Sequence, residues 1–316
     1  MPAPSRVVVL DDYQDCARSY ADWESLGTDV DFVHDHLDGD ALLDALAGAD
    51  VVVAMRERTP FDADLLGRLP ALRLLVTTGM ANASIDVEAA RAQGVTVCGT
   101  RSLPSPAAEM TWALILAVAR TVPRAAADLR DGRWQEAPVG VDLAGATLGL
   151  LGLGRLGTRV ARVGLAFEMR VQAWSQNLDA DHARSLGVEP VTQDVLLATS
   201  DVVSLHLRLS DRTRGIVGAD ELARMKAGAL LVNTSRGPLV DEAAMLDALA
   251  SGHLGGVGLD VYDREPLPPD HPLRSAPRTV LAPHLGYVTD GGYRVFYGDA
   301  LEDVRAWADD EPVRVL

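Results

Sequence analysis

Short apolar runs alternate with helix-like patterns through the first hundred residues. The apolar runs are rich in β-branched residues, which predicts strands at residues 6–10, 50–53, 73–77 and 95–98. Between them, apolar positions recur with helical spacing at residues 40–47, 63–69 and 87–93. Strands that alternate with helices predict βαβ units and a parallel sheet.

The alternation is interrupted by prolines and then resumes. Pro104 and Pro106 break the chain, and residues 107–121 are then predicted to form an apolar helix whose end Pro123 marks. From residue 146 a second series begins. Its strands are predicted at residues 146–151, 170–174, 201–205, 229–232, 256–259 and 279–281, and its helices at residues 155–167, 219–225 and 242–250. A last helix is predicted at residues 291–307, and residues 313–316 are a candidate strand.

Length and composition indicate two globular domains. A chain of 316 residues exceeds the usual size of one domain, and 48 % apolar with 23 % charged residues is ordinary for a globular protein. The formal net charge of −16 disfavours binding to nucleic acid or to an anionic membrane surface. The two cysteines, Cys16 and Cys98, lack the spacing of a zinc site and argue against a disulfide scaffold.

The same features predict a cytoplasmic protein. The amino terminus has no basic segment followed by a long apolar one, so no signal peptide is expected. The most apolar helix candidate, residues 110–119, is too short to span a bilayer. Two isolated cysteines fit a reducing compartment.

A glycine-rich turn follows the first strand of the second series. Residues 152–157 have the spacing G-x-G-x-x-G between a predicted strand and a predicted helix. Gly152 permits the tight turn, Gly154 lets the backbone approach a pyrophosphate, and Gly157 lets helix and strand pack closely. The helix N-terminus adds amide donors and the positive end of its dipole. We therefore predict a dinucleotide site whose contacts include Gly152, Gly154, Arg155, Leu156 and Gly157.

The residue that usually binds the adenosine ribose is missing. The dinucleotide fingerprint has an acidic residue near the end of the second strand, where it binds the ribose 2′-hydroxyl. This sequence has Ser175 there, and no arginine follows that would bind a 2′-phosphate. The choice between NAD and NADP therefore stays open, and the absence of a dedicated cation favours NAD.

Two rival classes of dinucleotide-fold protein do not fit. Short-chain dehydrogenases need the motif Tyr-x-x-x-Lys, whereas the only lysine, Lys226, is preceded four residues earlier by Leu222. Methyltransferases and L-lactate-type dehydrogenases carry their glycine turn near the amino terminus, whereas here a whole domain precedes it.

Three later segments place ionisable residues at the carboxyl ends of predicted strands, the edge at which open α/β sheets bind ligands. The first ends in Arg236, whose guanidinium could bind a carboxylate through two hydrogen bonds. The second carries Asp260 and Glu265, and the third carries His284. Each residue alone could be an ordinary loop residue, but their joint position after a dinucleotide turn predicts an active site.

The chain resembles the D-2-hydroxyacid dehydrogenase family along nearly its whole length. The motifs that carry the resemblance are the glycine turn and residues 72–86, 108–109, 203–207, 233–237, 259–266 and 283–286. The resemblance implies an α/β protein with two Rossmann-like domains and parallel sheets. Residues 1–104 and 288–316 would form a discontinuous, flavodoxin-like substrate domain, and residues 105–287 would form the NAD(P)-binding Rossmann domain.

The resemblance also implies roles for individual residues. Arg236 would anchor the substrate carboxylate and polarise the C2 carbonyl. His284 would be the general acid in reduction and the general base in oxidation, and Glu265 would pair with it and favour the imidazolium. The implied substrate loop contains Thr78, Gly79 and Met80, and Arg56 is a further candidate anion contact. The remaining candidate cofactor contacts are Ser175, His206, Thr234, Gly286 and Asp260, the last near the nicotinamide carboxamide.

These roles imply reversible, metal-free hydride transfer between NAD or NADP and a small D-2-hydroxy or 2-keto acid. One alternative keeps the fold but changes the substrate to 3-phosphoglycerate, formate or phosphite. A phosphorylated substrate would need more cations than Arg56 and Arg58 in the first domain. Another alternative is a non-enzymatic NAD-sensing, corepressor-like protein.

Family members also suggest an assembly and two local departures. The helix at residues 107–119 would pack across the interface of a homodimer. Arg208 stands where a proline often follows His-Leu, and Tyr287 follows His-Leu-Gly. Both departures leave the predicted chemistry intact but could reshape the pocket.

Overall fold

The computed structural model describes residues 4–316, which form two compact units. One unit joins residues 4–103 to residues 288–316, and the other comprises residues 104–287. Each unit is built on one parallel β-sheet with helices beside it. That the first unit binds the substrate and the second the cofactor stays a prediction.

The elements are numbered in chain order. The strands are β1 (Arg6–Val9), β2 (Asp29–Phe32), β3 (Val51–Ala54), β4 (Leu74–Thr77), β5 (Thr96–Gly99), β6 (Thr147–Leu151), β7 (Arg170–Trp174), β8 (Glu189–Pro190), β9 (Val202–Leu205), β10 (Leu230–Asn233), β11 (Gly256–Leu259) and β12 (Thr279–Leu281). The α-helices are α1 (Ala17–Tyr20), α2 (Gly39–Leu46), α3 (Ala63–Gly67), α4 (Val87–Ala92), α5 (Pro106–Ala119), α6 (Val122–Arg130), α7 (Arg155–Ala166), α8 (Ala180–Ser185), α9 (Gln193–Thr199), α10 (Ala219–Arg224), α11 (Glu242–Ala250) and α12 (Asp290–Ala308). Short 3-10 helices lie at Trp23–Leu26, Gly237–Leu239 and Pro272–Arg274.

The first unit has a five-stranded sheet in the order β2-β1-β3-β4-β5, with every pair parallel. This is the flavodoxin-like strand order that the sequence predicted. The inner strands β3 and β4 are buried along their whole length and consist largely of valine and leucine, because both faces of the sheet are covered. The sequence prediction omitted β2, an edge strand in which exposed Asp29 and Asp31 alternate with partly buried residues.

The second unit has a seven-stranded parallel sheet in the order β12-β11-β10-β9-β6-β7-β8. The direction of strand succession reverses at β6, which lies between β7 and β9. Such a switch point opens a crevice at the carboxyl ends of the strands, where ligands bind in this class of sheet. The prediction of two Rossmann-like domains with parallel sheets is confirmed.

Helix α5 is part of the core of the second unit. It packs against α7 and against β10, β11 and β12. Its buried side chains include Trp112, Leu114, Ile115 and Val118. Most of the apolar surface of α5 is covered within its own unit, and packing of this helix across a dimer interface stays a prediction.

The chain after α5 differs from the prediction. Pro123 does not mark the end of the long helix, since α5 ends at Ala119 and Pro123 lies in the first turn of α6. A proline is tolerated in that turn because its missing N–H would have had no partner in the helix. Residues 313–316 form one antiparallel bridge, from Val315 to Cys98, and no longer strand.

None of the helices in residues 4–316 combines the length and the apolar character needed to cross a bilayer.

Candidate active site

The predicted site residues of the second unit follow neighbouring strands along one edge of its sheet. Because all seven strands are parallel, their carboxyl ends meet at this edge. In the order of the strands, the residues that follow them are His284 after β12, Asp260 after β11, Arg236 after β10, His206 after β9, Gly152 after β6 and Ser175 after β7. The predicted catalytic residues His284 and Arg236 therefore lie toward one end of this edge, and Ser175, the predicted ribose contact, lies toward the other.

The glycine turn has the geometry that its sequence predicts. Gly152 has φ +107°, and a Cβ atom there would lie 2.5 Å from the carbonyl oxygen of His206. A Cβ on Gly157 would lie 2.2 Å from the carbonyl oxygen of Gly152, so only glycine permits this packing. Gly154 is exposed and has no atom within 4 Å of a built Cβ. The turn is therefore closed toward the protein and open at Gly154.

The first turn of α7 has free amide donors at this open position. Its N-cap residue, Gly154, provides no side-chain cap. In the described chain, the amides of Arg155, Leu156 and Gly157 donate to no protein acceptor. Unsatisfied amides at the start of a twelve-residue helix, with the positive end of its dipole, favour an anion such as a pyrophosphate.

His206 lies beside the glycine turn as a neutral ring. Its backbone amide donates to Leu151 O (2.8 Å), and its Nε2 is 3.0 Å from Ser204 Oγ. Burial lowers the pKa of His206 to about 3. Nδ1 is buried and has no hydrogen-bond partner within residues 4–316. A buried polar atom without a partner is costly, so its position favours a ligand that would bond to it.

Ser175 lies on the other side of the turn. The amide of Gly152 donates to Trp174 O (2.8 Å), which places Ser175 directly after the strand that flanks the turn. The nearest acidic residue along the chain, Asp179, accepts from the amides of Asp181 and His182 and so caps α8.

Arg236 is held by a network at the end of β10. Asn233 Nδ2 donates to Arg236 O (2.8 Å), and Arg236 Nη1 donates to Ser235 O (2.7 Å). A Cβ on Gly237 would lie 2.1 Å from the carbonyl carbon of Tyr262, so the next residue must be glycine for the two loops to touch. Thr234 is buried, with its hydroxyl 2.7 Å from that of Thr111 on α5.

His284 and Glu265 form a close pair. His284 Nδ1 is 2.5 Å from Glu265 Oε2, and both side chains are largely buried. The other carboxylate oxygen of Glu265 accepts from the amide of Tyr262 (3.0 Å). The Tyr287 ring lies edge-on to the imidazole, with ring centroids 5.5 Å apart. With Nδ1 bound to the carboxylate, Nε2 is the nitrogen left for proton exchange.

The side chain of Asp260 is hydrogen-bonded to the loop that follows β12. Its side chain is buried and accepts from the amides of Leu285 (2.7 Å) and Gly286 (2.8 Å). Burial raises the pKa of Asp260 to about 6, although these amides and the nearby His284 favour the carboxylate.

The candidate substrate loop of the first unit follows β3 and β4. Arg56 has φ +52°, and its Nη1 donates to Thr78 O (3.0 Å). The same Nη1 atom would lie 2.0 Å from a Cβ atom on Gly79. The amides of Thr78 and Gly79 donate to Ala54 O (3.1 Å) and Thr100 Oγ1 (2.8 Å). These two amides are therefore occupied within the protein.

Met80 keeps an available donor in the same loop. Its side chain is exposed, and its amide donates to no acceptor in the described part of the chain. Among the three predicted loop residues, Met80 is therefore the one whose amide has no acceptor in the described chain, and its contact with a substrate carboxylate stays a prediction.

Comparison with known proteins decides the family. The family model for the D-isomer specific 2-hydroxyacid dehydrogenase, NAD binding domain, matches residues 112–286. The chain belongs to this family. A glyoxylate reductase of Aeropyrum pernix is 43 % identical over 72 % of this chain and 71 % of its own length.

Two further relatives extend the similarity. A D-3-phosphoglycerate dehydrogenase of Mycobacterium bovis is 39 % identical to this dehydrogenase, over 85 % of this chain but 51 % of its own length. The crystal structure of a phosphoglycerate oxidoreductase from Vibrio cholerae O395 superposes with a TM-score of 0.93 and 37 % identity, covering 97 % of this chain and 99 % of that one.

The residues present fit a nicotinamide dinucleotide. The open position at Gly154, the free amides of α7 and the unpartnered Nδ1 of His206 all lie at the carboxyl edge of the sheet. They provide an anion site and a buried polar contact on adjacent strands. NAD(P) use by this dehydrogenase agrees with its family.

Sequence reasoning missed the residues that hold the site together. Tyr262 donates its amide to Glu265 and its hydroxyl to Ala282 O (2.9 Å), and Asn233 bonds to both Ser235 and Arg236. Both lie inside motifs that the sequence analysis singled out. Their position two or three residues from a candidate charged residue was the available signal.

Proposed function

We propose that this dehydrogenase interconverts a small D-2-hydroxy acid and its 2-keto acid, with His284 moving the proton. The observation that carries the proposal is the 2.5 Å contact between His284 Nδ1 and Glu265 Oε2, at the same edge of the sheet as Arg236. A bound reduced nicotinamide would supply the hydride that C2 of the keto acid receives. His284 Nε2 donates its proton to the C2 oxygen, so that the product is the neutral hydroxyl.

Glu265 supports both directions of this proton transfer. Its carboxylate stabilises the imidazolium before reduction and orients the ring throughout. In oxidation, the neutral imidazole accepts the proton from the hydroxyl. Arg236 would bind the substrate carboxylate and stabilise charge on the C2 oxygen, a task suited to a planar guanidinium.

The charges of the first unit favour a substrate with a single negative charge. Arg56 Nη2 is 3.6 Å from Glu57, and Arg58 lies 4.9 Å from the centroid of the Tyr13 ring, in a cluster with the buried Asp11. Arg56 thus lies near a carboxylate, and Arg58 stacks on a tyrosine whose hydroxyl donates to another carboxylate. Glyoxylate, pyruvate and hydroxypyruvate fit this balance better than a phosphorylated acid, although several relatives are named for phosphoglycerate.

The test of substrate class follows NADH and NADPH oxidation with four keto acids. We expect turnover with glyoxylate, hydroxypyruvate or pyruvate, and little with phosphohydroxypyruvate. Turnover restricted to the phosphorylated acid would overturn the substrate class. Binding of the dinucleotide without turnover of any keto acid would favour the NAD-sensing, corepressor-like alternative.

The test of the acid–base assignment is His284→Ala. We expect turnover to fall by about 10³-fold or more, since general acid catalysis contributes 10²–10⁴-fold, while the Kd of NADH is unchanged. His271→Ala is the matched control, because His271 also pairs with a carboxylate, Glu242 Oε1 at 3.0 Å, in the same unit. Equal loss in both variants would indicate damage to the fold and not to a catalytic group.

We propose that the protein is a cytoplasmic homodimer. Support comes from exposed apolar side chains on α6 and the segment after it: Val122, Leu129, Trp134, Val139 and Val141. A cluster of exposed apolar residues favours a protein partner. Sedimentation equilibrium should give twice the chain mass, and Leu129→Asp with Trp134→Ala should shift the protein toward monomer. A monomeric wild-type protein would contradict the proposal.

A further inference from the structure

The loop that carries His284 is held in an unusual backbone conformation. His284 has φ +55°, in the left-handed region that L-residues with a Cβ atom seldom adopt. Such a conformation is strained and persists only where surrounding contacts enforce it. The contacts that enforce it here come from one segment, the residues that follow β11.

That segment contacts the histidine loop at three points. Before the histidine, the Tyr262 hydroxyl donates to Ala282 O (2.9 Å). At the histidine, Glu265 binds Nδ1. After the histidine, the Asp260 carboxylate accepts the amides of Leu285 and Gly286, one on each oxygen.

The third contact, from Asp260 to the amides of Leu285 and Gly286, is buried and closely packed. Asp260 is 1 % exposed, and a buried carboxylate is costly unless hydrogen bonds compensate it. Gly286 has no side chain to separate the two loops, and a Cβ there would lie 3.0 Å from Asp260 Oδ2. Two consecutive amides that point at one carboxylate fix the orientation of the peptide planes directly after His284.

We propose that Asp260 is a positioning residue for His284, which sets the direction of the imidazole through the amides of Leu285 and Gly286. The inference rests on the proposed role of His284. It differs from the role implied by the family resemblance, in which Asp260 lies near the nicotinamide carboxamide. A cofactor contact predicts loss of dinucleotide affinity, whereas a positioning role predicts loss of kcat with the affinity kept.

The experiment compares Asp260→Asn with Asp50→Asn in the full-length protein. Asp50 is the matched control because its two oxygens also accept consecutive amides, those of Ser5 (2.8 Å) and Arg6 (2.9 Å), at the start of β1 in the other unit. Asparagine has one acceptor oxygen, so each variant loses one of two amide bonds. Three quantities are measured: hydrogen exchange of residues 280–288, the Kd of NADH, and the pH profile of kcat.

We expect Asp260→Asn to raise exchange at the amides of Leu285 and Gly286 by roughly tenfold, the value of one hydrogen bond. We expect kcat to fall by about 100-fold, as for a catalytic group misplaced by about 1 Å, while the Kd of NADH is unchanged. Asp50→Asn should change none of these three quantities.

The pH dependence separates positioning from general damage to the fold. The ionisable groups that face Asp260 are His284, Glu265 and Tyr262. In the wild type, protection of the Leu285 and Gly286 amides, corrected for intrinsic exchange, should decrease below pH 6 as Asp260 takes up a proton. In Asp260→Asn this decrease should be absent.

A second variant covers the case in which Asp260→Asn does not fold. Gly286→Ala places a methyl group against Asp260 Oδ2 and should weaken the bonds from Asp260 to the amides of Leu285 and Gly286. We expect a smaller loss of kcat and of exchange protection than in Asp260→Asn. Unchanged exchange in either folded variant would overturn the proposal, and so would a weakened Kd of NADH with kcat retained. The exchange measurement needs neither substrate nor cofactor, so its result is separate from failure of the proposed function, which the His284→Ala assay reports.

Discussion

Ser175 occupies the position from which a Rossmann domain normally repels a 2′-phosphate. It follows β7 beside the glycine turn, and the nearby Asp179 is engaged in capping α8. Ser175→Asp should restore the repulsion and weaken NADPH binding by at least about tenfold while NADH binding is kept. Titration of cofactor fluorescence measures both Kd values.

Gln176→Asp serves as the control for that change. Gln176 is exposed and one residue further along, so it receives the same charge at a neighbouring position. It should discriminate less between the two cofactors than Ser175→Asp. Equal effects of both variants would mean that net charge, and not a ribose contact at residue 175, determines the preference.

At the scale of single residues, identity was predictable and orientation was not. Arg236, Glu265 and His284 could be named as candidates because each follows an apolar strand in a recognisable motif. The left-handed backbone of His284 and the Asp260 bonds to Leu285 and Gly286 depend on contacts across 19 to 26 positions of sequence. The bond from Arg56 Nη1 to Thr78 O likewise joins two loops and has no sequence signal, and the role of Arg56 as an anion contact stays a prediction.

The turn from β6 into α7 separates two roles of glycine. A Cβ on Gly157 would overlap Gly152 O at 2.2 Å, whereas one on Gly154 would meet no atom within 4 Å. Gly157→Ala should therefore lower the melting temperature by several degrees and weaken cofactor binding. Gly154→Ala should leave the melting temperature unchanged and weaken only the binding of the pyrophosphate.

Thermal unfolding with and without NADH distinguishes the two variants. The wild type should be stabilised by NADH, since a ligand that binds the folded state raises its stability. Gly154→Ala should lose much of that stabilisation from an unchanged starting point. Full retention of it would show that the pyrophosphate does not approach this residue.

At the scale of elements, buried strands were predictable and marginal elements were not. β3, β4, β6 and β9 to β11 are buried runs of valine, leucine and glycine, which leave an unambiguous pattern. β2 was not predicted because it lies at the edge of the sheet, where alternate residues are exposed. Two of them are aspartates, which are unusual in strands. α6 was not predicted because a proline such as Pro123 can follow the end of one helix or lie in the first turn of the next. Only the fold shows which of the two applies.

At the scale of the molecule, Asp303 should affect how stability depends on pH. It is fully buried on α12, with Arg314 Nε 3.0 Å away, and burial raises its pKa to about 7 against the effect of that arginine. The folded protein thus holds a proton that the unfolded chain releases near pH 4. Stability contributed by this group is full below that pH and decreases as the pH rises to 7.

Asp303→Asn should remove this decrease, so the urea midpoint should change less between pH 5 and 7.5 than in the wild type. Asp299, one helical turn earlier, is the control, because its pKa is shifted in the opposite direction. Burial opposes its ionisation, but hydrogen bonds from Arg101 outweigh this and lower its pKa. Asp299→Asn should cost most stability at neutral pH and less in acid. Parallel curves for the wild type and Asp303→Asn would contradict the assignment.

The order of strands in the second sheet has a consequence for engineering. Ser175 after β7 and His284 after β12 are separated by five strand spacings, roughly 24 Å at about 4.8 Å each. Substitutions so far apart are usually energetically additive. With the proposed roles of Ser175 and His284, cofactor choice and acid–base chemistry would be controlled at separate places along one sheet. A biocatalyst could be retuned for the cheaper or more easily recycled nicotinamide without re-optimising its turnover.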